Sequence, residues 1–121
     1  MNFSIKDSRP IWQQLTEQLR QRIVTGVYPP GSRFPSVREL ASEAGVNPNT
    51  MQRAMGQLET DGLVTTNRTQ GRTVTRDTEV LEAMRRSLAR ARTQEYLQEM
   101  QALGLEAAAA AELVREEGEK I

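Results

Sequence analysis

The sequence contains no cysteine and no histidine. Without cysteine there is no disulfide, no thiolate metal site and no thiol nucleophile. Without histidine the commonest general base and metal ligand are missing too. Aromatic residues make up 4% of the 121 positions and hydrophobic residues 37%, a share too low for a large core. No apolar run approaches the roughly 18 residues of a membrane span. The first residues lack the apolar middle of a signal peptide, so a cytoplasmic chain with no membrane partner is expected. Net charge is absent as well: sixteen Lys/Arg stand against sixteen Asp/Glu. As a bulk figure, that zero argues against a nucleic-acid partner.

The zero is unevenly distributed. Up to Arg76 there are ten Lys/Arg against six Asp/Glu, a balance of +4; from Asp77 onward there are six against ten, a balance of −4. All five prolines lie at or before Pro48, four of five aromatics lie at or before Phe34, and nine alanines follow Asp77. The composition therefore divides the chain into a basic, turn-rich part, residues 1–76, and an Ala/Glu/Arg-rich, proline-free part, residues 77–121.

In the first part, Pro10 suits the first turn of a helix, and Ile11, Leu15, Leu19 and Ile23 follow at intervals of four. Trp12 and Val24 lie alongside, and Trp12, Met51 and Met55 are expected in the core. Gly26 closes this helix, and Tyr28 to Ser32 form a rigid turn. Ser36 and Glu39 make a capping box for a short helix that stops at Gly45. Asn47 then caps a further helix with Pro48 at its first position and Met51, Ala54, Met55 and Leu58 as its apolar stripe. Two short helices joined by a glycine turn, with the small Ala41 where they cross, predict a helix-turn-helix. Leu63–Thr66 and Arg72–Thr75 are β-prone and flank the turn residues Asn67 to Gly71, which adds a hairpin wing.

The second helix of such a pair enters the major groove, led by its N-terminal residues. With the apolar stripe inward, Asn49, Thr50, Gln52, Arg53 and Gln57 face outward, and Gln57 belongs to the rim. Asn and Gln pair with adenine edges and Arg with guanine. Asn47 stands where free N–H groups favour phosphate, although it serves as a cap in any case. Arg38 opens the preceding helix, Arg68 stands on the wing tip and Arg72 begins the return strand. No Asp or Glu occurs from Val46 to Leu58 to repel phosphate. Arg53 has Glu43 and Glu59 as its alternative, structural partners.

The runs Pro35-Ser36-Val37-Arg38-Glu39-Leu40-Ala41, Val46 to Ala54 and Leu58-Glu59-Thr60-Asp61-Gly62-Leu63-Val64 resemble the GntR family of bacterial repressors. The Val46-Asn47-Pro48-Asn49-Thr50 stretch is similar to the YtrA subfamily, as are Pro10 to Leu15 and Gly26 to Gly31. The resemblance covers residues 3 to 76 densely. It implies a winged-helix domain that binds a palindromic operator as a dimer, with DNA contacts at Arg38, Asn47 to Thr50, Gln52, Arg53 and the wing. It also implies control of a transporter operon without a separate sensor domain. The wing departs from the usual Gly-x-Gly-Thr-Phe-Val: here Thr69-Gln70-Gly71-Arg72-Thr73-Val74 replaces the first Gly, the Thr and the Phe. Phe34 stands for a usual Leu, and Gly56 sits mid-helix where the subfamily often carries an aromatic.

In the second part, Asp77 or Thr78 caps a long helix to about Leu103, with Leu81, Met84, Leu88 and Ala91 in step and Leu97, Met100 and Leu103 after a phase shift. Gly104 breaks it. A last helix from Glu106 to about Glu117 carries Ala109, Ala110, Leu113 and Val114. Such a hairpin buries too little to stand alone. The expectation is a homodimer interface through Leu81, Met84, Leu88, Leu97, Met100, Leu103 and Leu113, rather than a pair lying on its own winged helix. Forty-five residues also enclose no useful pocket, so any small-molecule effector would bind between subunits or domains.

The fold class expected is therefore mainly α (α+β): a winged helix-turn-helix domain with a β-hairpin wing, then a dimerising two-helix hairpin. The partner expected is double-stranded DNA, with no cofactor and no metal. The alternative is a DNA-binding antitoxin or adaptor whose acidic C-terminal helices hold another protein. An enzyme is excluded by the missing His and Cys and by lysine at Lys6 and Lys120 alone.

Overall fold

The computed structural model describes residues 3–6 and 8–121. The elements run α1 (Ile11–Val24), α2 (Val37–Ala44), α3 (Pro48–Thr60), β1 (Val64–Asn67), β2 (Gly71–Val74), α4 (Thr78–Ala102) and α5 (Ala107–Gly118). They form two compact units, one reaching Arg85 and one from Arg86 to Ile121, with α4 contributing to both. The fold is the expected mainly helical winged helix.

The local signals act as their chemistry requires. Ser36 Oγ accepts from the Glu39 N–H at 3.1 Å and starts α2. Gly45, at φ 69°, ends it: the Val46 N–H reaches back to the Ala41 carbonyl and the Gly45 N–H to that of Ser42. That paired closure needs a left-handed residue, which glycine supplies without strain. Asp77 Oδ1 accepts from the Glu79 N–H at 3.0 Å, so Asp77 is the residue that caps α4.

The core of the first unit joins Leu15, Leu19 and Ile23 of α1 to Leu40 and Ala41 of α2 and to Met51, Ala54, Met55 and Leu58 of α3. Phe34, Leu63, Val64, Val74 and Leu81 complete it. Each large side chain buried there contributes about 1.5–3 kcal/mol of transfer free energy. Two expected members are absent. Ile11 is exposed, and Trp12 is only half-buried, with the Arg53 guanidinium over its ring.

β1 and β2 pair antiparallel with Val64 opposite Val74 and Asn67 opposite Gly71. The strands thus sit one residue from the expected positions. The Leu63 N–H is engaged by the Leu58 carbonyl at the end of α3, which delays the ladder by one residue. A third, short segment joins the other edge of β2: Arg33 bridges Thr73, and the Phe34 N–H bonds the Arg72 carbonyl at 2.8 Å.

Residues ahead of α1 are fastened to it by two glutamines one turn apart. Gln14 accepts from the Lys6 N–H at 2.7 Å and donates to its carbonyl at 2.6 Å; Gln18 does the same for Ser4 at 2.9 and 2.6 Å. Each side-chain amide imitates a strand partner. Gln14, only 2% exposed, is thereby satisfied.

In the second unit, Ala110 is buried, and Leu88, Tyr96, Leu97, Met100 and Leu105 are half-buried. Gly104, at φ 87°, closes the last turn of α4, with the Leu105 N–H on the Met100 carbonyl.

Candidate nucleic-acid interface

α3 presents its polar side outward. Asn47 Oδ1 accepts from the Asn49 N–H at 2.8 Å, so its acceptor is spent on the cap. Asn49 and Gln52 are exposed, and their side chains form no bond among the described residues. Thr50 is half-buried at the same end. Arg38, on the first turn of α2, is exposed and unpaired among the described residues.

Arg53 is held differently from either alternative raised by the sequence. Its guanidinium carbon lies 4.1 Å above the Trp12 ring. Glu43 pairs instead with Arg22 at 2.7 Å, and Glu59 pairs with Arg72. Both carboxylates offered by the sequence are thus occupied by other arginines.

The far end of α3 is clamped to α1. Arg20 donates in a fork to both Asp61 carboxylate oxygens at 2.8 and 3.0 Å, and Gln57 donates to one of them at 3.1 Å. A bidentate pair of this kind fixes orientation as well as distance. Arg22 is buried against α2 and the following turn. It donates to Glu43 and to the Tyr28 hydroxyl, both at 2.7 Å, and faces the Phe3 ring at 4.1 Å. Burial alone would lower its pKa; the bonds to Glu43 and Tyr28 outweigh that, so it lies above the ordinary arginine value.

In the wing, Asn67 Oδ1 accepts from the Thr69 N–H at 2.9 Å and from its hydroxyl at 2.8 Å. This Asx turn leaves Arg68 exposed at the tip. Arg72 does not project freely. It is bonded to Glu59, which also accepts from the Thr66 hydroxyl at 3.3 Å, so wing and α3 share one carboxylate. Sequence reasoning missed Arg33, which is exposed and lines a concave surface with Thr69, Gln70 and Gly71. Its segment reads as a turn, and its single bridge to β2 leaves no alternating pattern to detect.

Of the apolar residues expected at a dimer interface, Leu81 is buried in the first unit's core and Met84 packs against it. Leu88, Leu97 and Met100 are half-buried, while Leu103 and Leu113 are exposed. No helix among the described residues is long and apolar enough to cross a membrane.

Residues 12–74 match the family model described as bacterial regulatory proteins, gntR family. The chain is 35% identical over 105 residues to the HTH-type transcriptional regulator YhcF of Bacillus subtilis (strain 168), covering 87% of each chain. It is 39% identical over 66 residues to the HTH-type transcriptional repressor YtrA of the same organism, covering 54% of this chain and 51% of that one. Among solved structures, a GntR family transcriptional regulator from Listeria monocytogenes superposes with a TM-score of 0.82 at 35% identity, covering 93% of this chain and 98% of the other. The outward side of α3 up to Leu58, with Arg53 and no carboxylate, and the wing beside it are therefore those of a DNA-binding transcriptional regulator, not an enzyme, and the chain belongs to the gntR family as a YtrA-like member.

Proposed function

We propose that the protein is a repressor that binds a palindromic operator as a homodimer. In this reading Arg38, Asn49, Thr50, Gln52 and Arg53 face base edges or phosphates in the major groove. Asn47 orders the helix start, and Arg68 approaches the backbone from the wing, with Arg72 shared between Glu59 and phosphate. The repressor role follows that of the relative YtrA, and control of a transporter operon follows the subfamily resemblance. Residues beyond the composition change at Arg76 supply the dimer contacts, chiefly Leu88, Leu97, Met100, Leu103 and Leu113.

The observation that carries this reading is the apolar surface left open on the second unit. Leu103 is 73% exposed, Val114 55% and Leu113 38%. Several exposed aliphatic side chains in so small a unit favour a partner surface. A second copy fits best, since a two-fold dimer sets two α3 helices about 34 Å apart, one turn of DNA.

Selection from a random DNA pool, with sedimentation of the pure chain, tests it. A palindromic consensus with half-sites one turn apart, bound by a dimer, is expected. A monomer that selects a single half-site would overturn the homodimer and favour the adaptor alternative. Repression is then read by placing the selected site between promoter and reporter, where higher expression with the protein present would refute it.

A further inference from the structure

We infer that Trp12 is a positioning residue for DNA reading: its indole face holds the Arg53 guanidinium so that the charged fork points at a base edge in the major groove. The inference rests on the reading of Arg53 as a DNA contact and adds a residue outside the helix-turn-helix.

Three observations carry it. The Arg53 guanidinium carbon stands 4.1 Å over the ring, within cation–π range. Stacking fixes the guanidinium plane from its face and uses none of its N–H donors. A carboxylate partner would occupy the very edge that pairs with guanine N7 and O6. The two carboxylates that the sequence offers it as partners are engaged elsewhere, Glu43 by Arg22 and Glu59 by Arg72, and Glu17 of the groove beside Trp12 pairs with Arg9. Finally, Trp12 is the sole tryptophan and is half-buried outside the core cluster. It is also not among the half-buried residues packed against that cluster, so no core role explains it. Around it Gln13, Thr16, Glu17, Arg20 and Gln57 line an open groove between α1 and α3, so the ring is reachable from outside.

A stacked arginine begins DNA binding in its bound conformation. An unstacked one must first be ordered, at a cost in affinity. Leucine at position 12 keeps apolar bulk but lacks the π face; phenylalanine restores a face.

The test is a double-mutant cycle on a duplex selected by the wild-type chain from a random pool. Arg53→Ala alone first establishes whether Arg53 contacts that duplex; it is expected to weaken binding tenfold or more. Trp12→Leu is then expected to weaken binding about fivefold and to reduce discrimination at the same base pair that Arg53→Ala affects. In the Arg53→Ala background it should change affinity less than twofold. Trp12→Phe should recover most of the loss. If Arg53→Ala is silent, the Arg53 assignment and the positioning role fall together. If Arg53→Ala weakens binding but Trp12→Leu is silent, or costs the same in both backgrounds, only the positioning role is overturned.

Discussion

At the residue scale, the interface is built by deciding which arginines are spent and which are kept free. Arg20, Arg22 and Arg72 are each committed to a carboxylate, while Arg33, Arg38 and Arg68 have no partner among the described residues. The committed ones join elements; Arg22 alone links the α2 carboxylate of Glu43, the Tyr28 hydroxyl and the Phe3 ring to α1. Its side chain is 5% exposed and that of Glu43 is 40%. Removing Glu43 therefore leaves a buried cation with less compensation, whereas the glutamate itself could be re-solvated. Glu43→Ala is expected to lower stability by about 1–3 kcal/mol, read from the urea midpoint. An unchanged midpoint would show that the buried guanidinium does not depend on Glu43. The free arginines behave oppositely. Arg38→Ala should leave the urea midpoint within about 0.5 kcal/mol of the parent, as surface changes do. It should weaken operator binding by about 1–3 kcal/mol at one base position if Arg38 reads a base bidentately. Equal weakening on every duplex would make it a phosphate contact.

At the element scale, α3 shows where local preference and function part. Gly56 lies mid-helix, where glycine is less favourable than alanine by about 1 kcal/mol. A Cβ added there would meet nothing within 4 Å, so no packing inside the chain explains the glycine. Gly56→Ala is thus expected to raise stability by about 1 kcal/mol, measured by urea unfolding, and a loss would mean that the helix relies on that gap.

Most of the element order was legible because caps and glycine stops act over three to six residues. Ser36, Gly45, Asn47 and Gly104 each do locally what their side chains or conformations allow. What escaped the sequence is held at long range by polar groups. The paired amides of Gln14 and Gln18 fasten a segment ahead of α1, yet glutamines four apart on a helix look like an ordinary solvated face. Arg72 reads as a free wing cation until the hairpin folds it onto Glu59, thirteen residues earlier. Trp12 reads as core by composition, and only the packing of α1 on α3 brings it beneath Arg53, forty-one residues later.

At the scale of the whole molecule, the composition change at residue 76 and the packing boundary do not coincide. The first turns of α4 carry Val80, Leu81 and Met84 onto the winged-helix core, so the DNA-binding unit extends to Arg85. A cut after Arg76 would strip Leu81 from that core and confound stability with assembly, because losing a buried leucine costs about 2–5 kcal/mol. A chain ending at Arg85 keeps every member of the core cluster while discarding Leu88, Leu97, Met100, Leu103 and Leu113. It is therefore expected to melt cooperatively yet sediment as a monomer. Each half-site should then be bound independently, without the gain from linking two sites in one particle. That gain multiplies overall affinity by a factor of roughly 100 to 10,000. The shortened chain should accordingly bind the full palindrome only about as well as an isolated half-site. A shortened chain that still sedimented as a dimer would place the contact between copies on the winged helix and would overturn the dimerising role of α5 and the second half of α4.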